Sequence, residues 1–270
     1  GVKQVKGGDS VVLHWRKGAG IESDPPKYVW RGKELNAGWV TTFNQHAVVS
    51  ENRCTVISSN TNPQIGALFG CAITTGFGVI ENNANLQIGE SIVVFGAGGI
   101  GLNIIQAAAM RSASTIIAID IHNNRLDLAK KLGATFILNS SECNVKEKII
   151  SILAEQPLDI FIDNTGIPSI IELGYELTKK QGRVVLVGVP KEGSSIKIHS
   201  LPLHFGKDLI GSHGGESIPH NDIPRYMRLL SKNKIKLDQL ISKKFSLENI
   251  NLAIKAMREG SLAGRVMIEL

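Results

Sequence analysis

The chain has 270 residues, 43% hydrophobic and 20% charged, with 30 Lys+Arg against 24 Asp+Glu and a formal net charge of +6. A composition this apolar buries enough surface to offset its ordering entropy, which excludes intrinsic disorder, and the length suits one or two domains. No apolar run approaches the roughly 18 residues that cross a bilayer as a helix, which argues against a membrane span.

The opening run Gly1-Val2-Lys3-Gln4-Val5-Lys6 lacks the apolar core of a secretory signal, so a cytoplasmic location is expected. Cys54, Cys71 and Cys143 are odd in number and far apart, and form no disulfide framework. Lys and Arg are spread along the chain and cluster only loosely over Lys232 to Lys244, with apolar residues between them. Without a basic stripe interleaved with stacking aromatics, a nucleic-acid partner is not expected.

Residues 1–60 read as short β-type segments separated by turns. Val11 to Leu13 follow Gly7-Gly8-Asp9, and Ala47 to Val49 follow Phe43 to His46. Between them, Gly18 to Asn36 is a polar stretch with Pro25-Pro26 at its middle, read as a long loop of the functional or replaced-insertion kind. Asn62 is placed to cap a helix with Pro63 at its first position, running through Ile65, Leu68 and Phe69.

Beyond this point short apolar bursts alternate with helical patterns. The strands read as Ser91 to Phe95, Thr115 to Ile119, Thr135 to Leu138, Asp159 to Asp163 and Gly182 to Val187. Ile100 to Met110 is an Ala-rich apolar helix, and Asn124 to Leu132 carries Leu126, Ala129 and Leu132 at helical spacing. Near-continuous β-branched runs indicate strands covered on both faces, hence an α/β fold with a parallel sheet between helices. The stretch 221–257 supplies two more helices, and Arg265 to Leu270 a terminal strand.

The sharpest motif is Gly96-Ala97-Gly98-Gly99-Ile100-Gly101, a GxGxxG directly after one strand and opening the next helix. Gly96 permits the tight turn, Gly98 lets the backbone approach a pyrophosphate, and Gly101 allows close helix packing. The helix N-terminus then offers N–H groups and a positive dipole end to phosphates. Asp120 closes the second strand 24 residues after Gly96, near the spacing at which a carboxylate binds an adenosine ribose diol and repels a 2′-phosphate. NAD is therefore expected over NADP, while Arg125, five residues on, reads either as an acceptor of that phosphate or as a solvated helix residue stacked beside the adenine.

These motifs together resemble the medium-chain, zinc-dependent alcohol dehydrogenase family. Gly7-Gly8-Asp9-Ser10-Val11-Val12 looks like its V-K-x-G-D-x-V strand, and Gly70-Cys71-Ala72-Ile73-Thr74-Thr75-Gly76-Phe77-Gly78 its G-C-x-x-x-T-G-x-G segment. Val187-Gly188-Val189-Pro190 is similar to the nicotinamide-side strand end, and Gly264-Arg265-Val266 to the terminal G-R/K-V stretch. The resemblance implies a doubly wound Rossmann domain over 73–213. An incomplete β-rich, GroES-like catalytic domain would be split between 1–72 and 214–270.

It also implies roles. Thr75, Val187 and Val189 would lie against the nicotinamide, and Gly99 and Ile100 would give N–H groups to the pyrophosphate. Arg265 would approach that pyrophosphate with charge. Cys71 would be a ligand of the catalytic zinc, and Trp15 a wall of the substrate pocket, where an ordinary core aromatic is an equal reading. The reaction implied is hydride transfer from a small alcohol to NAD, giving an aldehyde or ketone, in a homo-oligomer, dimer or tetramer.

The family pattern departs at zinc. A catalytic zinc takes three protein ligands, and the family's earlier Cys and its Gly-His-Glu stretch have no counterpart, as no His here precedes a Glu. The chain is thus expected to lack the family's N-terminal part, to bind NAD without holding zinc, and to carry no catalytic residue of its own. Four close cysteines would mark a structural zinc near 17–35; that segment has none and carries Pro25, Pro26, Tyr28 and Trp30 instead, so no structural zinc is expected. Two rival readings remain: a zinc-free NADPH quinone or enoyl reductase, against which Cys71 and Asp120 speak, and a non-catalytic dinucleotide-binding module.

Overall fold

Short β-branched runs form the first paired elements of the computed structural model, which describes residues 1–270. β1 (Ser10–Leu13) lies near the N-terminus. β2 (Lys27–Trp30) and β3 (Lys33–Asn36) follow as an antiparallel hairpin, and β4 (Cys54–Ile57) pairs antiparallel with β1, Val12 opposite Thr55. Two expectations are corrected by these pairings. The stretch 18–36 is not a plain loop but contains the β2–β3 hairpin, closed by Arg31 and Gly32, both at positive φ (51° and 75°). That two-residue turn matches the twist of the strands it joins. Nor does Ala47 to Val49 form a strand: Val48 is 65% exposed and its N–H donates to the Tyr28 hydroxyl at 2.9 Å. Pairing with β1 falls instead to the Cys-Thr-Val-Ile run, which turns Thr55 inward.

The chain forms two compact units: 1–74, 217–261 and 265–270 in the first, 75–216 and 262–264 in the second. In the first unit α1 (Pro63–Leu68) starts where its cap dictates, with the Asn62 carboxamide oxygen accepting the Gln64 N–H at 2.9 Å. His14, just past β1, is buried. Its Nδ1 lies 2.8 Å from the Arg16 carbonyl, which only accepts, so Nδ1 carries the proton and Nε2 accepts from the Thr55 hydroxyl at 2.9 Å.

α2 (Ala72–Gly78) carries the chain into the second unit. There the order is β5 (Ser91–Phe95), α3 (Gly101–Met110), β6 (Thr115–Asp120), α4 (Asn123–Lys131), β7 (Phe136–Asn139), α5 (Val145–Leu153), β8 (Leu158–Asp163), α6 (Pro168–Leu177), β9 (Thr178–Leu186) and β10 (Asp208–Gly211). The six strands form one parallel sheet in the order β10-β9-β8-β5-β6-β7. This is the doubly wound α/β sheet that the β-branched runs imply. Every residue of β5 and β8 is buried, as helices on both faces require. On one face Val93, Phe95, Ile117, Phe161 and Val184 pack with Ile149 and Leu153 of α5 and Tyr175 of α6.

Two features of this sheet have no sequence signal. β10 is a four-residue edge strand, and β9 begins at Thr178, before the apolar run, with a register shift against β8 between Leu158 and Ile160. Strand order reverses between β5 and β8, so the chain diverges there and leaves a crevice at their carboxyl ends.

Returning to the first unit, α7 (Pro219–Ser231) buries Ile223 and Tyr226. β11 (Ile241–Ser246) pairs in parallel with β12 (Arg265–Glu269), and α8 (Ile250–Arg258) connects them. β11 is hidden in the sequence because Lys243 and Lys244 interrupt its apolar pattern. No helix is long and apolar enough to cross a membrane.

Burial lowers the His14 pKa below its ordinary 6.5, with the neighbouring Arg53 and His220 charges acting the same way and backbone bonds opposing. The unfolded chain therefore binds a proton that the folded chain refuses. Stability is whole above pH 6.5 and falls as pH drops below it. Urea midpoints at pH 7.5 and 5.5 should show this loss in the wild type and a flatter dependence in His14→Gln; an unchanged slope in the variant would refute the assignment.

Candidate functional site

The site is built at the crevice between β5 and β8. After Phe95 the chain turns at Gly96, whose φ of +97° suits only glycine. Gly96 N–H still donates to Ile119 in β6 at 2.7 Å, so the turn begins while it is fastened to the sheet. A Cβ on Gly101 would lie 2.0 Å from the Gly96 carbonyl oxygen. The turn thus closes on itself, and α3 starts directly above the end of β5. At Gly98, by contrast, an added Cβ would meet nothing within 4 Å. That open side is the room an approaching ligand needs.

Polar groups around the turn are arranged as donors. No hydrogen bond within the chain takes the N–H of Gly99 or Ile100, as expected of the first residues of a helix. Such groups, with the dipole behind them, favour an anion. The cradle therefore fits a dinucleotide pyrophosphate on its own geometry.

Asp120 ends β6 with its carboxylate already engaged. Oδ2 accepts the Ala97 N–H at 2.8 Å, Oδ1 accepts the His122 N–H at 3.0 Å, and Oδ1 faces Arg125 Nη1 at 3.5 Å. The acid thus ties the second strand to the glycine turn, and a sugar hydroxyl there would share oxygens that are also structural.

Across the crevice, Asp163 is fully buried at the end of β8. Its carboxylate accepts the N–H groups of Thr165 and Gly166, each at 2.9 Å, and the Thr165 hydroxyl at 2.6 Å. The Asp163 carbonyl accepts the N–H of Val187 at 2.8 Å and of Gly188 at 2.9 Å. Val187 and the 89%-exposed Val189 are thereby held beside this turn. Asn164 donates its N–H to Phe95 at 2.9 Å, and its two carboxamide atoms are buried without a partner beside Gly96 and Gly101.

Of the sequence-derived site residues, the second unit holds Thr75, Gly96, Gly98, Gly99, Ile100, Gly101, Asp120, Arg125, Val187 and Val189. Thr75 is buried in α2. The first unit holds Trp15, Cys71 and Arg265. Trp15 is 40% exposed, with the Arg16 guanidinium 5.9 Å from its ring centre. Burial pushes the Arg265 guanidinium down from its usual pKa, with Cys71 close enough to oppose this. Cys71 itself is exposed, no cysteine is in a disulfide, and no group of three or more His, Cys, Asp or Glu side chains could hold a metal ion. A catalytic zinc therefore does not fit the residues of this chain. Sequence reading missed Asp163 and Asn164; the Asp-Asn-Thr-Gly string is an Asx-turn signal that marks both.

The chain is similar to known proteins. The family model described as zinc-binding dehydrogenase matches residues 99–232. An S-(hydroxymethyl)glutathione dehydrogenase of Escherichia coli is 31% identical over 255 residues, 93% of this chain and 69% of that protein. Alcohol dehydrogenase-like 7 of Arabidopsis thaliana is 29% identical over 82% of this chain, which spans 58% of its length. The crystal structure of benzyl alcohol dehydrogenase from Acinetobacter calcoaceticus superposes with a TM-score of 0.84 at 28% identity, covering all of this chain and 79% of that one.

Replacing Gly101 with alanine should jam the turn. The added methyl group meets a backbone carbonyl, not a flexible side chain, so relief requires α3 to move. Gly101→Ala is expected to weaken dinucleotide binding at least about tenfold, roughly 1.4 kcal/mol, while Gly98→Ala leaves the fold intact and weakens binding alone. Titration calorimetry with thermal melting separates the two; Gly101→Ala that binds like wild type would contradict the closed turn.

Proposed function

Because the chain belongs to the zinc-binding dehydrogenase family, we propose that it is the dinucleotide-binding part of an alcohol-dehydrogenase-type oxidoreductase, with NAD as its dinucleotide. The observation that carries this reading is the Asp120 carboxylate bonded to the Ala97 N–H of the glycine turn. It stands where an adenosine ribose offers its diol, and its charge disfavours a 2′-phosphate. Arg125 is drawn toward that carboxylate, which offsets the pull its charge would exert on such a phosphate.

In this reading Gly99 and Ile100 give N–H groups to the pyrophosphate, Arg265 supplies further positive charge, and Thr75, Val187 and Val189 line the nicotinamide. When bound, the nicotinamide supplies a hydride acceptor. The chain's own residues bind it, orient it and exclude water from one face. Domain limits of 1–72, 73–213 and 214–270, a pocket wall at Trp15, a homo-oligomer, a cytoplasmic location and a small alcohol, aldehyde or ketone substrate complete the proposal.

Cys71 takes its place as a zinc ligand only where other ligands join it. Within this chain no group of three or more His, Cys, Asp or Glu side chains gathers to supply the three protein ligands of a catalytic zinc. In this reading the chain by itself binds NAD and is inactive without the family's further zinc ligands.

Titration with NAD and NADP should give binding of NAD at least about tenfold tighter, roughly 1.4 kcal/mol, and Asp120→Ser should narrow that gap. Alcohol-dependent reduction of NAD with added zinc should stay at background. Equal affinities would remove the role given to Asp120, and turnover by the isolated chain would overturn its non-catalytic character.

A further inference from the structure

Asn103 is, with Gln106, one of two buried polar residues in the otherwise apolar interior of α3. The neighbouring residues Leu102, Ile104, Ile105, Ala107 and Ala108 are buried and apolar, and Asn103 is buried among them at 0% exposure. Its own N–H does not take the α-helical partner four residues back. It donates to the Ile100 carbonyl at 3.0 Å, one residue nearer. The carbonyl so released, that of Gly99, is taken by the Asn103 side chain, with Nδ2 donating at 2.8 Å. The carboxamide thus stands in for the backbone group of the same residue.

That exchange decides the direction of one peptide. In a planar trans peptide the C=O and the next N–H point opposite ways. Holding the Gly99 carbonyl back toward α3 therefore turns the Ile100 N–H away from the helix and out of its end, with no partner inside the chain. α2 packs closely against this point of α3: a Cβ on Gly76 would lie 2.5 Å from the Asn103 Cβ. The arrangement also carries a penalty, since the Asn103 Oδ1 is buried with no partner. Stability alone favours an apolar side chain here, as at the neighbouring positions.

We propose that Asn103 is a positioning residue for the diphosphate of the bound dinucleotide, its carboxamide holding the Gly99–Ile100 peptide so that the Ile100 N–H faces a phosphate oxygen. This rests on the dinucleotide reading of the glycine turn. The dependence is specific: Asn103 serves the diphosphate and leaves the adenosine end, bound near Asp120, untouched.

The test titrates the whole chain with ADP and, separately, with adenosine, for the wild type, Asn103→Ala and Asn103→Ser, with thermal melting as a control for folding. Asn103→Ala is expected to weaken ADP about fivefold to tenfold, the worth of one hydrogen bond, with adenosine unchanged. Asn103→Ser, whose hydroxyl reaches a carbonyl four residues back within a helix, should recover most of the loss. If Asn103→Ala does not fold, Asn103→Cys replaces it, being close to serine in size with a far weaker donor. Unchanged ADP affinity, a parallel loss of ADP and adenosine, or serine no better than alanine or cysteine would each overturn the proposal. A wild type that binds no ADP would instead reject the dinucleotide reading itself.

Discussion

The approach of Gly101 to the Gly96 carbonyl governs the architecture of the second unit. With only 2.0 Å between that oxygen and the place of a Cβ, the chain leaves β5, turns and enters α3 with no intervening slack. The close return sets the helix axis against the sheet and its first N–H groups over the strand end. It also leaves those groups without partners, because a helix cannot satisfy its own first turn. An anion-attracting concavity is then a consequence of backbone geometry, and glycine is required at 101 because a side chain there would strike the Gly96 carbonyl oxygen.

The two ends of the same sheet use buried polar groups in opposite ways. At the amino ends of β5 and β8, Asp159 accepts the Ser91 N–H at 2.7 Å and pairs with Lys179 at 2.5 Å. Burial works against its charge, yet Lys179 and the Ser91 bonds outweigh it and hold the carboxyl below its ordinary pKa. That corner is sealed and structural. At the carboxyl ends, Asp120 and Asp163 anchor turns with their carboxylates, while Asn103 and Asn164 keep carboxamide atoms unpartnered. Unsatisfied buried groups cost about 1–3 kcal/mol each. Three such atoms, on Asn103 and Asn164, lie around the glycine turn, where the protein gives up stability to keep a shape.

Much of this was readable from residue order. β-branched runs such as Ile92-Val93-Val94 and Ile116-Ile117 announce strands buried on both faces, and Asn62-Pro63 announces the start of α1. These signals are local, set by rotamer restriction and by the first N–H groups of a helix. The elements that escaped are those stabilised by partners distant in sequence. β10 is four residues long and exists because β9 offers a free edge. β11 carries two lysines and is held by β12, and β4 is recognisable only once β1 is opposite it. The hairpin at Lys27 to Asn36 depends on Arg31 adopting a positive φ, which residue type does not foretell.

The amino-acid sequence by itself determined the kind of elements, their order, the position of the phosphate turn and the presence of an acid at the end of the following strand. It did so because period, glycine placement and strand length act over a few residues. Only the tertiary structure decided what those side chains do. Asp120 spends one oxygen on the Ala97 N–H, and Asn103 replaces a backbone donor inside its own helix. Asp163 and the segment 187–189 are locked together by bonds to a single carbonyl. Each of these depends on atoms brought within about 3 Å by packing, where hydrogen bonds form, and no local pattern encodes that meeting.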